Sequence, residues 1–552
     1  MEKNEYLNWL NSDELTSDMH LQLENYSKEQ IKECFSSDLE FGTGGLRGLI
    51  GLGTNRLNLF TIRKVTLGLA NYLIKNKINH QGVAISYDNR HFSKEFAKET
   101  AMVFASKKIK TYLFENLRPT PMLSFAVRHF GCASGIMITA SHNPKEYNGY
   151  KVYNATGAQL NLEEAKEVIT HINALNSCFG IKTVEDLSLI NYIDDSLDQI
   201  YLENVKKIKL NTVNKNFKFV YSPLHGTGGQ IIPKLFKEEN YNCHTLASQM
   251  TVDPNFTNTT SSNPEDNGAF DKAIEYATSI NAQMILVTDP DADRLGVAVL
   301  NKENQYQLLN GNQTASLTLY YILETLKNQN KLSTDKIVFT TNVTTNLINK
   351  IAESFGVKVI TTITGFKFIG EQINLLSNPS QYLFGAEESY GSLISPFVRD
   401  KDAVQACFMI AEICGYCLEN NTTVLEYLED IYKKYGFYLE FTNNLTLFGL
   451  DGNKKINEIM EYFRKTPLCL PNVKLLGYDD LLEQKTYLTN MNLPKSNVLK
   501  YYFDDKTWVV LRPSGTEPKI KIYYSVTDTS MQKAQKKIEK IDEYVLTIVN
   551  KI

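Results

Sequence analysis

Short β-branched runs recur along the chain, each followed by a polar loop and then by apolar residues at helical spacing. Residues 83–87 lead through Asp88-Asn89-Arg90 into a helical pattern over 93–107. Residues 217–221 lead through 222–229 into 230–239, and 337–341 lead through Asn342 into 345–355. A brief apolar run bounded by turn formers and followed by a 3.6-residue period predicts strand, loop and helix in that order. Strands that alternate with helices predict α/β layers on a parallel or mixed sheet. The three units begin near 83, 217 and 337, about 120 to 135 residues apart, which is longer than a solenoid period and fits three similar domains in series. The last part of the chain reads differently. A helical pattern over 425–435 precedes apolar runs at 437–447, 508–511 and 520–525, and a helical stretch closes the chain over 530–549. The predicted fold is therefore α/β: three similar α/β domains with mixed sheets, then a C-terminal α+β domain. The divisions fall at 1–205, 206–312, 313–428 and 429–552.

Length agrees with this partition, because 552 residues exceed what one hydrophobic core organises. Charge narrows the partners. A net charge of −4, from 58 basic and 62 acidic residues, gives no electrostatic ground for binding nucleic acid or an anionic membrane. Local positive charge that collects small anions stays possible. The first 18 residues are polar and acidic, without the apolar run of a signal peptide. The most apolar stretch, 403–418, is too short to span a bilayer and is interrupted by Gln405 and Glu412; its spacing predicts a partly buried helix. The eight cysteines are scattered, as reduced cytosolic thiols are. Cys414 and Cys417 form a C-x-x-C inside that apolar helix, with no second pair and no neighbouring histidine, and read as core packing. A cytoplasmic protein with neither a membrane nor a nucleic-acid partner is the expectation.

The sharpest chemical signal is Asp289-Pro290-Asp291-Ala292-Asp293-Arg294, directly after the apolar run 284–288. On a helix the middle acid would face away from the other two. In a loop at a strand's end all three can converge on one hard cation, and an all-oxygen donor set favours Mg²⁺ or Ca²⁺. An EF-hand starting at Asp289 would need Gly and Glu where Arg294 and Leu300 stand. The plain alternative is a solvated acidic turn, but three acids at alternate positions repel one another unless a positive charge sits between them. Arg294 beside such an ion suits a phosphate.

Four further loops carry candidate chemistry. Thr139-Ala140-Ser141-His142-Asn143-Pro144 follows the apolar segment 135–138 and runs on to Lys151. A serine at a strand end among turn formers is expected to be exposed, with free backbone N–H groups nearby. Thr139 stands where the hydrolase elbow requires Gly, so that motif is absent. Arg512-Pro513-Ser514-Gly515-Thr516 and the following Lys519 offer a guanidinium, two hydroxyls, a glycine N–H and an ammonium for a phosphate, or else form an ordinary turn. Glu387-Glu388-Ser389, flanked by Gly385 and Gly391, suits sugar hydroxyls or a plain loop. The stretch 41–48 lacks the preceding strand and last glycine of a dinucleotide fingerprint, and reads as a flexible glycine loop presenting Arg47 to an anion.

Taken together and in this order, these loops resemble those of the α-D-phosphohexomutase family, and the resemblance covers most of the chain. Thr139–Pro144 resembles its phosphoserine loop, Asp289–Arg294 its metal loop, Glu387–Ser389 its sugar-binding loop and Arg512–Thr516 its phosphate-binding loop. Gly365-Phe366-Lys367 and the extension before Gly42 are similar to the branch that mixes phosphoglucomutases with phosphopentomutases. The resemblance implies a heart-shaped molecule of four domains around a central cleft. It implies that phosphorylated Ser141 donates to a sugar phosphate and takes back the other phosphate of the bisphosphate intermediate. Asp289, Asp291, Asp293 and Ser141 would hold Mg²⁺. Arg47 and His142 would contact the phosphoryl group, while Lys151 and Lys367 are its candidates for proton transfer. Arg294, Glu387, Ser389, Arg512, Ser514, Gly515 and Thr516 would bind substrate. The implied reaction interconverts glucose 1-phosphate and glucose 6-phosphate, with glucose 1,6-bisphosphate as activator, on a monomer or weak homodimer. Pentose or mannose phosphates are the alternative substrates, and a non-catalytic sugar-phosphate sensor is a further reading. Pro290 and Ala292 stand where many relatives carry glycine, which stiffens the metal loop and leaves its carboxylates intact.

Overall fold

The computed structural model describes residues 2–42, 44–184, 187–447, 452–487, 493–513 and 519–552. The chain forms two compact units. The first comprises Met1–Gly311 with Phe366–Asn421, and the second Asn312–Gly365 with Thr422–Ile552.

Two mixed sheets organise the first unit. The larger has six strands in the order Gly45–Leu49, Tyr147–Asn154, Ser134–Ile138, Val83–Tyr87, Thr111–Phe114 and Ile190–Ile193. Its last four strands run parallel, whereas Tyr147–Asn154 is antiparallel to both of its neighbours. The second sheet has the order Tyr306–Leu309, Leu295–Leu300, Met284–Thr288, Phe219–Ser222 and Cys243–Thr245. Its strands Phe219–Ser222, Cys243–Thr245 and Met284–Thr288 are parallel; Leu295–Leu300 turns back antiparallel. Every residue of Val83–Tyr87, Ser134–Ile138 and Met284–Thr288 is buried, as strands covered on both faces must be. The run 217–221 is realised two residues on, as Phe219–Ser222. An antiparallel pair, Tyr382–Ala386 with Ser392–Leu393, also belongs to this unit.

The second unit contains the parallel pair Ile337–Thr341 and Lys358–Thr362. Its C-terminal part is an antiparallel sheet in the order Phe437–Thr446, Lys519–Asp528, Trp508–Pro513, Leu499–Phe503 and Leu475–Asp480. The helices Gly452–Lys465 and Met531–Val549 pack on it, with Ile459, Phe463, Ile538 and Val545 in one core with Val509 and Tyr524.

Two local expectations change. The helix Ala403–Glu419 is buried almost throughout rather than on one side. Its polar residues survive there because each has partners: Gln405 accepts from the Ser395 amide at 2.7 Å, and Glu412 accepts from the amides of Leu210 and Asn211 at 3.0 and 2.8 Å. Cys414 and Cys417 are both buried within this helix, as core packing requires. From Gly45 on, the glycine-rich stretch is a strand rather than a flexible loop: Gly45–Leu49 lies at the sheet edge with Arg47 paired opposite Gly149. A Cβ on Gly149 would lie 2.5 Å from the Thr139 carbonyl oxygen and 2.8 Å from that of Leu46. Glycine here lets three backbones approach. No helix among the described residues is long and apolar enough to cross a membrane.

Candidate active site

The strand Met284–Thr288 ends in a turn that folds back on its first acid. Asp289 Oδ1 accepts the amides of Asp293 and Arg294 at 3.1 and 3.0 Å, and the Ala292 amide donates to the Asp289 carbonyl at 2.9 Å. Ala292 takes the left-handed conformation (φ 51°) that closes this turn, a position where glycine would be unstrained. The curl brings one oxygen from each of Asp289, Asp291 and Asp293 within 4.8 Å of one another. Thr227 holds the turn from outside, donating its amide and hydroxyl to the Pro290 carbonyl at 2.8 and 2.9 Å.

Ser141 lies against this triad. Its Oγ donates to Asp289 Oδ2 at 2.8 Å and stands 3.2 Å from His142 Nδ1. Its amide donates to Thr139 Oγ1 at 2.8 Å, and its φ is 53°. Contrary to the exposed serine expected from the turn sequence, Ser141 is only 3% exposed, because the acidic turn of the neighbouring sheet covers it.

Cations surround the acids. Lys151 Nζ donates to Asp291 Oδ2 at 2.7 Å and lies 3.8 Å from Asp293 Oδ2. Thr120 Oγ1 donates to that same Asp291 oxygen at 2.8 Å, and the Thr120 amide to the Asp291 carbonyl at 2.9 Å. Arg294 pairs with Glu265 at 2.5 Å and has its Nε 3.9 Å from Asp293, so part of its charge is already used within the protein. Arg47 donates to Asn143 Oδ1 at 3.0 Å, which ties the edge strand to the serine loop. Lys401, which the sequence reading did not single out, has its Nζ 3.2 Å from Asp293, 3.4 Å from Asp400 and 4.0 Å from Glu387. The signal for it was Arg399-Asp400-Lys401-Asp402, four charged residues immediately before the most apolar helix. Thr120 carries no comparable signal.

Burial sets the protonation of these groups. It raises Asp289 well above the usual carboxylate range, reinforced by repulsion from Asp291 and Asp293. At Asp291 burial works in the same direction, but the Lys151 ammonium and hydrogen bonds from Asp289, Lys151 and Thr120 outweigh it and hold that carboxyl low. Burial also drives His142 well below its ordinary value, aided by Arg294 and Arg47, so the imidazole is neutral. At Lys401 burial opposes the charge, yet Asp293, Asp400 and Glu387 keep it protonated.

The triad suits a hard divalent cation. All donors are carboxylate oxygens, all three residues are buried, and Asp291 Oδ1 and Asp293 Oδ1 have no hydrogen-bond partner among the described residues. Two orphaned carboxylate oxygens in a buried site are costly unless a cation completes them.

The remaining candidates lie on other elements. Glu387 is buried at the end of Tyr382–Ala386, with its amide donating to the Gly391 carbonyl at 2.9 Å; Ser389 is half-buried. The Leu295 amide donates to the Tyr390 carbonyl at 3.0 Å, anchoring this loop to the strand that follows the acidic turn. Lys367 sits at the start of Phe366–Asn374 beside Glu371, half-buried, with its ammonium 5.1 Å from the Phe368 ring centre. Burial lowers it to about 8, against the pull of Glu371. Arg512, on the strand Trp508–Pro513 of the second unit, lies 3.5 Å from the Tyr523 hydroxyl. Ser514, Gly515 and Thr516 lie outside the described residues.

Comparison with known proteins matches this arrangement along nearly the whole chain. The models for phosphoglucomutase/phosphomannomutase α/β/α domains I, II and III match residues 38–177, 199–302 and 310–435, and that for the C-terminal domain matches 470–541. A phosphoglucomutase of Staphylococcus epidermidis is 39% identical over 534 residues, covering 94% of this chain and 96% of its own length. The fold is shared with the open form of the Paramecium phosphoprotein pp63/parafusin, a phosphoglucomutase, at a TM-score of 0.69 and 19% identity over 93% of this chain and 95% of that one. It is also shared with the Aspergillus fumigatus N-acetylphosphoglucosamine mutase solved with GlcNAc-6P and magnesium, at a TM-score of 0.52 and 13% identity over 99% and 98% of the two chains. A serine set against a buried acidic triad thus occurs in a chain that matches all four domain models and near-full-length relatives, and the protein belongs to the phosphoglucomutase/phosphomannomutase family.

Proposed function

We propose that the protein is a phosphoglucomutase that interconverts glucose 1-phosphate and glucose 6-phosphate through phosphorylated Ser141 and a glucose 1,6-bisphosphate intermediate. The observation that carries this reading is the 2.8 Å contact of Ser141 Oγ with Asp289 inside a buried triad ringed by Lys151, Lys401 and Arg294. Phosphoryl transfer asks chiefly for positioning and for charge neutralisation on the moving group. Mg²⁺ on Asp289, Asp291 and Asp293 would supply much of that neutralisation when bound.

The chain's own residues do the rest. A sugar hydroxyl attacks phosphorus in line as the bond to Ser141 Oγ breaks, and the hydroxyl proton passes to a base. Lys367, lowered to about 8, is proposed for that role. The bisphosphate then turns over, the Ser141 oxygen freed by the first transfer attacks its other phosphorus, the bond from that phosphorus to the sugar oxygen breaks, and the proton held by Lys367 returns to that sugar oxygen. The neutral His142 ring, whose Nδ1 stands 3.2 Å from Ser141 Oγ, is placed to hydrogen-bond the serine oxygen between the two transfers. Arg47 and Arg294 steady the phosphoryl oxygens. Glu387 and Ser389 are assigned to the sugar hydroxyls, and Arg512 with Ser514, Gly515 and Thr516 to the phosphate that is not moving. Burial of Ser141 and the triad excludes the water that would hydrolyse phosphoserine. The proposed domains are 1–205, 206–312, 313–428 and 429–552, in a cytoplasmic monomer or weak homodimer.

The test is a comparison of initial rates on the 1-phosphates of glucose, mannose, ribose and deoxyribose, with Ser141→Ala as control. Glucose is expected to lead, and Ser141→Ala to abolish turnover. A preference for another sugar of roughly tenfold, about 1.4 kcal/mol in transition-state binding, overturns the substrate assignment. Substantial turnover by Ser141→Ala overturns the phosphoserine.

A further inference from the structure

The polar loop after Val83–Tyr87 carries a buried arginine that the scheme above leaves without a task. Arg90 is 3% exposed. Its Nη1 donates to the carbonyls of Pro144 and Tyr147 at 2.8 and 3.1 Å, and its Nη2 to those of Ser141 and Asn143 at 2.6 and 2.5 Å. One guanidinium thereby gathers four carbonyl oxygens of the serine loop. Arg90 is itself bracketed. Asp88 Oδ1 accepts its amide at 2.9 Å and the Ser93 hydroxyl at 2.7 Å, and Asp88 Oδ2 lies 3.4 Å from its Nε. The Phe256 ring covers it, 5.3 Å from the guanidinium carbon.

Four carbonyl dipoles aimed at one point repel one another, and only a cation with a fork of donors makes that geometry favourable. In a trans peptide the N–H opposes the carbonyl. Capture of the Ser141 carbonyl therefore turns the His142 N–H away from Arg90, and among the described residues that N–H has no acceptor. Ser141 meanwhile holds a left-handed φ of 53°, a conformation that is strained for any residue with a Cβ. The loop needs an external hold to keep that conformation.

We propose that Arg90 is a positioning residue for phosphoryl transfer: by collecting the carbonyls of residues 141–147 it locks Ser141 in its left-handed conformation, aims Oγ at Asp289, and presents the His142 N–H to a phosphoryl oxygen carried on Ser141. The inference rests on the phosphoserine reading. Lysine at this position keeps the positive charge but lacks the planar fork, and a point charge does not hold four carbonyls in one plane.

The experiment compares wild type, Arg90→Lys, Arg90→Gln and Ser141→Ala. It reads kcat and KM for glucose 1-phosphate, the rate at which glucose 1,6-bisphosphate phosphorylates the Ser141 peptide by mass spectrometry, and the melting temperature. Arg90→Lys is expected to fold, to lose about 100-fold in kcat and in the rate of Ser141 loading, and to keep its KM. A role confined to stability would lower the melting temperature and leave both rates per folded molecule intact. Wild-type rates in Arg90→Lys overturn the proposal even where Arg90→Gln fails to fold, and so does a change confined to KM. A wild type that carries no phosphate on Ser141, or a Ser141→Ala that turns over, overturns the phosphoserine reading and this inference with it. Normal loading in both wild type and Arg90→Lys overturns this inference alone.

Discussion

At the scale of single residues, the site is built from groups whose burial is tolerated only because of specific partners. Thr120 illustrates the point. Its hydroxyl and amide both bond Asp291, and they leave Asp291 Oδ1 as the orphaned oxygen that a cation would take. Partners that orient a ligating carboxylate are worth about 10- to 100-fold in metal affinity. Thr120→Val, which preserves shape and removes the hydroxyl, is thus expected to raise the Mg²⁺ concentration for half-maximal activity by about that factor. Titration of the purified variant checks this, and an unchanged midpoint contradicts the orienting role. Arg90 was not legible as a site residue in sequence, and Lys401 was legible only as part of a charged run before an apolar helix. What gives each its role is an acceptor more than 50 positions away, and local periodicity carries no information about such partners.

At the scale of elements, the alternation of strand and helix was legible because the apolar runs have a local cause. A strand covered on both faces must be largely apolar, which made 83–87 and 284–288 readable to the residue. The stretch 41–48 was not readable, because glycines that let backbones touch look the same in sequence as glycines that confer freedom. The second unit offers a prediction of its own. Lys500, on Leu499–Phe503, is buried and donates to the Asn342 carbonyl at 2.7 Å, with its ammonium 4.5 Å from the Trp508 ring centre. Burial lowers it from an ordinary 10.5 to about 8, against the pull of Asp479. Between these values the unfolded chain binds the proton and the folded chain does not, so stability increases with pH across that window. The lysine's cost is fully present below pH 8 and is relieved as pH rises toward 10.5. Lys500→Met is expected to flatten this dependence, a change of about 1–3 kcal/mol between pH 8 and 10. Denaturant melts of both proteins at several pH values measure it, and parallel curves contradict it.

At the scale of the whole molecule, metal binding and folding are linked. A cation that binds only the assembled triad stabilises the fold by about 2.7 kcal/mol at a hundredfold excess over its dissociation constant. Mg²⁺ is therefore expected to raise the melting temperature of the wild type by several degrees and EDTA to reverse the gain. In Asp291→Asn both effects are expected to shrink sharply. Differential scanning calorimetry with and without the ion reads this directly, and equal shifts in both proteins would place the metal elsewhere.

By itself the sequence determined the layered α/β plan, the distinct C-terminal sheet and the acidic turn. Each of these follows from residues within a few positions of one another. It also placed Ser141 in a turn, but gave it the wrong environment. Only the tertiary structure decided that Ser141 is buried, that Arg47 lies on an edge strand, and that Lys151, Lys401 and Thr120 converge on the acids. Those outcomes depend on which loops two sheets bring together, and charges buried there are tolerated only when paired, as Lys151 is with Asp291, 140 residues away.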